Sequence, residues 1–133
     1  MENNKYTLQI ILLTLVFLIG DFIWIYLFMG DKYKKMVPEI QNEELKINLY
    51  YGIFAYIFII AGLIIFVLPK ISKENKLRDS FLYGFTYGVI LYGVYDLTAG
   101  AIFKKWDLKL AIYDILWGGF ISFISIYLAS LIE

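Results

Sequence analysis

Three aspartates, Asp21, Asp96 and Asp114, stand inside long apolar runs of a 133-residue chain that has neither histidine nor cysteine. Without imidazole or thiolate there is no disulfide, no zinc or haem site of the usual ligand types and no histidine acid/base catalysis, so chemistry must run on carboxylates, hydroxyls, amines or backbone. Neither a cofactor nor a metal is expected. An aspartate near the centre of a membrane helix costs roughly 2.5–3.5 kcal/mol, less towards the interface, and three of them imply a use. Like charges brought together in a low-dielectric site cannot all ionise. At least one carboxyl would then hold a proton and exchange it near neutral pH, which suits proton coupling, cation binding or acid/base catalysis.

The elements that position these acids follow from hydropathy. Composition is 61% hydrophobic with a mean hydropathy of +0.70, far above the roughly 45–50% apolar usage of water-soluble domains. Residues 6–29, 49–68, 80–103 and 109–131 each supply about the 20 apolar residues that a hydrocarbon layer of roughly 30 Å demands. Alternating in/out patterning is absent, so these runs are helices rather than barrel strands. The expected fold is all-α: one transmembrane domain over residues 1–133, a polytopic four-helix bundle. The first run is too long for a signal-peptide core and lacks an A-x-A cleavage site, which predicts a retained span. Gly30-Asp31, Pro69 and Lys104-Lys105-Trp106-Asp107 read as stop signals. The longest connection, 30–47, reads as a connector with one or two surface helical turns after Pro38, and 73–79 as a solvated loop.

Counting along these spans brings the acids to one level. Asp21 lies eight residues before the end of the first span, Asp96 seven before the end of the third and Asp114 five after the start of the fourth. At 1.5 Å per residue all three sit roughly 8 to 12 Å below the surface that bears the first and third loops. Asp21-x-x-Trp24 and Asp114-x-x-Trp117 are the same D-x-x-W pattern run in opposite directions. Each indole N–H is thereby set level with the carboxylate of the other helix. In the third span Gly84, Gly88, Tyr92, Asp96 and Gly100 recur every four positions, a ridge for close helix approach; Asp114, Gly118, Ser122, Ser125 and Ala129 form a small, polar face on the fourth. Gly52, Ala55 and Gly62 make a weaker seam on the second.

The candidate pocket therefore comprises Asp21, Trp24, Tyr92, Tyr95, Asp96, Thr98, Asp114 and Trp117, with Lys104, Lys105, Trp106 and Lys109 at the headgroup level. The bland alternative is that the acids tie the bundle together, bonded to Tyr92, Tyr95, Thr98 or the indoles and neutralised by Lys35, Lys104 or Lys109 reaching down from the interface. Formal charge balances at 12 basic against 12 acidic residues, which recommends no nucleic-acid partner. Five basic residues fall on the side of the termini and seven on the other. The positive-inside rule thus leans towards both termini outside. Tyr6, Tyr33, Tyr50, Tyr51 and Trp106 fall near span ends, as an aromatic belt requires.

Asp21-x-x-Trp24, then Tyr95-Asp96-Leu97-Thr98 followed by Lys104-x-Trp106-x-Leu108, then Asp114-x-x-Trp117-Gly118, in that order, resemble the DUF2177 family of small predicted integral membrane proteins. The resemblance covers all four spans; it implies a multi-pass membrane fold and names no reaction. Relatives often carry asparagine after the Y-D-L-T run where this chain has Ala99, so an amide contact there is not open to this protein.

The leading expectation is a bundle whose acidic pocket binds or moves a proton-linked or cationic small solute within the lipid bilayer. Four short spans make a narrow core, so a complete pathway forms more easily in a homodimer. A rival is an enzyme acting on lipid, with an aspartate as acid or base, the lysines holding a phosphate headgroup and Mg²⁺ beside it. Another is a structural or accessory membrane subunit.

Overall fold

The computed structural model describes residues 2–133, and no strand occurs among them. Four long helices account for most of the chain: α1 (Glu2–Gln41), α2 (Leu49–Lys70), α3 (residues 76–102) and α4 (Leu108–Ser130). Three of them, α1, α2 and α4, are long and apolar enough to cross a membrane; α3, diluted by glycines, tyrosines and Asp96, is not among these three.

The first helix departs from expectation at Gly30, where no break occurs. Residues Ile25–Met29 form a π turn closed by the Gly30 N–H on the Ile25 carbonyl, and Gly30 keeps helical dihedrals. A Cβ at position 30 would lie 2.6 Å from that carbonyl oxygen, so glycine here lets a wide turn form instead of ending the helix. The helix then runs through Pro38 to Gln41, and the loop expected over 30–47 shrinks to 42–48. Asn42, at φ 61°, provides the left-handed C-terminal residue, its N–H donating to Pro38 O at 2.9 Å. Forty residues span about 60 Å, twice a hydrocarbon layer. The Gly30–Gln41 extension, with Asp31, Lys32, Lys34, Lys35 and Glu39, is the part that such a layer cannot hold.

At the opposite end, the stretch expected as a free loop is clamped. Asp79 is buried; its Oδ2 accepts from Ser72 N (3.0 Å) and Ser72 Oγ (2.6 Å), and its Oδ1 from Arg78 (3.1 and 3.2 Å). The Ser72 hydroxyl, then its amide, then the Arg78 guanidinium hold this carboxyl below the usual aspartate range. A depressed folded-state value means that the stabilisation is present above the unfolded value and is lost as pH falls through the folded one. Protection of the Ser72 amide from hydrogen exchange, taken relative to its intrinsic rate at each pH, should therefore fall in acid, below about pH 4, and Asp79→Ala should show the low protection already at neutral pH. Protection unaffected by the substitution would dismiss the clamp. Nearby, Lys76 Nζ pairs with Glu133 at 2.6 Å, joining the start of α3 to the C-terminal residue.

Helix α4 is the axis of the bundle, packed between α1 on one side and α3 on the other. Its inward face buries Asp114, Gly118, Ser122, Ser125 and Ala129. Against it α3 approaches closely: a Cβ on Gly88 would lie 2.0 Å from Gly118 O, and one on Gly84 3.1 Å from Phe123 Cα. A hydrophobic core of Leu13 and Phe17 from α1, Ile60, Leu63 and Val67 from α2, and Ile121 and Ile126 from α4 fills the half nearer the termini. A smaller cluster of Met29, Met36 and Leu110, flanked by Trp24, Tyr33 and Trp106, fills the other half. Outside these cores large side chains such as Phe22, Tyr26, Tyr51, Phe58 and Phe66 stand exposed. Contiguous apolar surface of that extent is incompatible with a monomer in water and suits a lipid solvent.

Candidate functional site

The polar layer lies between the two apolar clusters. Along α1, Phe17 and Met29 bracket Asp21; along α4, Ile121 and Leu110 bracket Asp114. Asp21, Asp96 and Asp114 are all buried, Asp96 at 1% exposure. Asp96 and Asp114 are immediate neighbours, and Asp21 lies within electrostatic reach of Asp114. Helices α1, α3 and α4 thus each deliver one carboxyl to a single region.

The three are not equivalent. Asp21 is satisfied: Trp117 Nε1 donates to its Oδ1 at 2.9 Å, and the Tyr56 hydroxyl donates to its Oδ2. Neither oxygen of Asp96 has a hydrogen-bond partner, although Asp114 and the Trp106 indole adjoin it, and Trp106 Nε1 is likewise buried without one. Among the described residues the ion pairs are Lys76–Glu133 and Arg78–Asp79. Lys35, Lys104 and Lys109 therefore do not neutralise the acids, and the trio faces itself with no basic counter-charge. A buried carboxyl without donors is expensive when charged, and two adjoining carboxyls cannot both ionise cheaply.

Of the two reciprocal indole contacts that the D-x-x-W pair predicts, one forms. Trp117 bonds to Asp21, whereas Trp24 Nε1 is buried without a partner. The Trp24 and Trp117 rings instead stack, with centroids 4.7 Å apart and planes 3° from parallel. This pair walls the layer on the α1–α4 side. Tyr92 packs its ring on Gly118, where a Cβ would lie 2.2 Å from Tyr92 Cγ. Its phenol and that of Tyr33 lie in the electrostatic field of Asp21 and Asp114 without a hydrogen bond to either.

Tyr95 and Thr98 belong elsewhere. Both are exposed, Tyr95 meeting Trp106 edge-on at 6.0 Å. Helical periodicity explains this: Asp96 occupies the ridge that faces α4, and positions one before and two after point away from it. Lys104, Lys105 and Lys109 are exposed, while Trp106, expected at the interface, turns its indole nitrogen inwards to Asp96.

Sequence reasoning overlooked Tyr56 and placed Tyr33 in the aromatic belt. The depth count that grouped the acids would have found Tyr56. It lies seven residues into the second span, roughly 10 Å below the same surface; the small-residue seam expected on α2 does not form as a unit, since Gly62 packs on Tyr87 while Gly52 has nothing within 4 Å and Ala55 is exposed. Tyr33 could not be found in this way, because a helix assumed to stop at Gly30 leaves it outside. Among the described residues no group of three acidic side chains has metal-holding geometry. Two clefts open elsewhere. One of about 410 Å³ lies between α1 and α2, apolar and lined by Leu18, Tyr56 and Ile60 among others; the other, of about 570 Å³, lies above Asp114 between the α1 extension and the start of α4.

No curated protein and no solved structure matches the chain. A family model described as "Predicted membrane protein (DUF2177)" matches residues 6–131, a span that contains the three aspartates, both D-x-x-W patterns and all four helices apart from the first four residues of α1. With three helices suited to crossing a bilayer, an outer surface of exposed large apolar side chains and a family match over nearly the whole chain, the protein belongs to DUF2177, a family of predicted membrane proteins.

Proposed function

We propose that the protein is a four-helix transmembrane bundle in which Asp96 and Asp114 form an intramembrane proton- and cation-binding site. The observation that carries this reading is the Asp96 carboxyl, sealed from solvent with no well-formed hydrogen bond to either oxygen, beside the Trp106 indole and a second carboxyl. A side chain kept for packing alone would be better served by asparagine or serine, which lie there without a charge to solvate. One proton shared by the pair relieves the repulsion; a small cation replacing that proton relieves it equally. Exchange of one for the other is the elementary step of proton-linked transport.

Three surrounding features favour exchange over a static clamp. Asp21 already accepts from both Tyr56 and Trp117, which leaves Asp96 and Asp114 as the carboxyls free to take a proton or cation. Stacked Trp24 and Trp117 exclude lipid and water from one side, which strengthens every charge interaction inside. Buried hydroxyls on Ser122 and Ser80, both without partners, extend polarity along the α3–α4 seam towards the termini.

The test is reconstitution of the full chain in proteoliposomes loaded with a pH-sensitive dye, under an imposed sodium or potassium gradient. Proton movement is expected from the wild type, at background level in Asp96→Asn and in Asp114→Asn, and undiminished in Asp31→Asn on the exposed α1 extension. Absence of flux in folded wild-type protein, together with infrared spectra in which no carboxyl band titrates across the neutral range, would end this reading.

A further inference from the structure

We infer that the cleft between the α1 extension and the start of α4 is a binding site for an anionic phospholipid, with the phosphate held by lysines and the glycerol and upper acyl carbons resting on an apolar floor. The cleft holds about 570 Å³, within the roughly 300–1,000 Å³ of small-molecule sites. Four lysines line it, Lys32 and Lys35 from α1, Lys105 from the α3–α4 turn and Lys109 from α4, against the two acids Glu39 and Asp107. Asp107 is occupied otherwise, as its Oδ1 caps α4 by accepting from Lys109 N at 2.8 Å and Leu110 N at 3.4 Å. None of the four ammonium groups is ion-paired among the described residues.

The residues converge by construction. Positions 28, 32, 35, 36 and 39 fall on one face of a helix that continues only because Gly30 accommodates a π turn. Lys32 lies 4.2 Å from the Phe28 ring centroid and Lys109 6.0 Å from that of Tyr113, and those two rings meet edge-on at 5.8 Å. Cation–π contacts thus settle two ammonium groups beside a shared aromatic floor, which Met36 and Leu110 complete. A free phosphate would use the lysines and leave that floor bare. An anionic lipid uses both, and the α1 extension stands where a hydrocarbon layer gives way to headgroups.

This proposal is independent of the carboxyl pair. Native mass spectrometry of the full chain in detergent, titrated with phosphatidylglycerol, phosphatidylcholine or inorganic phosphate, tests it. Phosphatidylglycerol should bind in preference to phosphatidylcholine and resist displacement by inorganic phosphate. The double variant Lys32→Gln/Lys109→Gln should lose that preference by about fivefold per lysine removed, and Lys32→Arg/Lys109→Arg should keep it. Lys34→Gln/Lys46→Gln, which removes two exposed lysines outside the cleft, should also keep it, as should Asp96→Asn. Equal binding of the two lipids, equal losses in both glutamine pairs or ready displacement by inorganic phosphate would each overturn the assignment.

Discussion

Gly88→Ala should destabilise the protein by about 3 kcal/mol, the upper part of the range for overpacking a close-fitted interior, whereas Gly93→Ala, five residues along the same helix, should stabilise it slightly. The difference lies in what a methyl group would meet. At position 88 it would sit 2.0 Å from Gly118 O, 2.5 Å from Gly118 C and 2.7 Å from Ser122 Oγ. Two of these atoms are backbone of the central helix, so α3 must move away as a body. At position 93 nothing lies within 4 Å, and what remains is the helix propensity of alanine over glycine, about 1 kcal/mol. Gly20→Ala gives an intermediate case, because its nearest obstacle at 2.3 Å is the tip of Ile121, a side chain that can rotate. Thermal unfolding followed by circular dichroism in one detergent orders the three. If Gly88→Ala and Gly93→Ala shifted the midpoint alike, close approach of α3 and α4 would not be what holds this half of the bundle. The consequence reaches the acids, since Asp96 stands two turns beyond Gly88 on the same ridge. Prising the helices apart at one point separates Asp96 from Asp114 at the other.

That ridge was legible because small residues at four-residue spacing have one physical use in lipid, where helices gain little from burying apolar surface and associate by close packing. The depth of the three acids was legible for an equally simple reason, a fixed rise of 1.5 Å per residue from span ends that composition marks. Continuity of α1 was not. Glycine before an aspartate reads as a stop, and nothing in local propensity distinguishes a helix end from a π turn that needs a missing Cβ to clear Ile25 O. From that one difference follow the inward placement of Tyr33 and the cleft faced by Lys32 and Lys35. The Asp79 clamp was hidden because its partners, Ser72 and Arg78, have the composition of a solvated loop. Tyr95 and Thr98 were drawn in by proximity in sequence to Asp96, where the period of the helix should have turned them out. Which acid would be satisfied and which orphaned depended on Tyr56 and on the rotation of Trp24, both matters of side-chain packing that periodicity does not reach.

The unequal treatment of the acids gives the sharpest test of whether they bind a ligand or brace the fold. Asp21→Asn leaves the pocket its shape but replaces one acceptor oxygen by an amide that cannot receive either Tyr56 or Trp117. One buried donor is then unmade, which costs about 1–3 kcal/mol. Asp96→Asn removes a carboxyl that makes no well-formed hydrogen bond; the new amide keeps an oxygen for the adjoining Trp106 indole and can donate to Asp114, so its unfolding midpoint in detergent should equal or exceed that of the wild type. A group that destabilises its own protein and is nonetheless placed at the centre of the bundle is the signature of a site held ready for something else. Measured side by side, a lower midpoint for Asp21→Asn with an unchanged or higher one for Asp96→Asn separates the brace from the binding group. Should Asp96→Asn instead fall as far as Asp21→Asn, the Asp96–Asp114 contact is a structural tie, and the case for a proton or cation at this level loses its foundation.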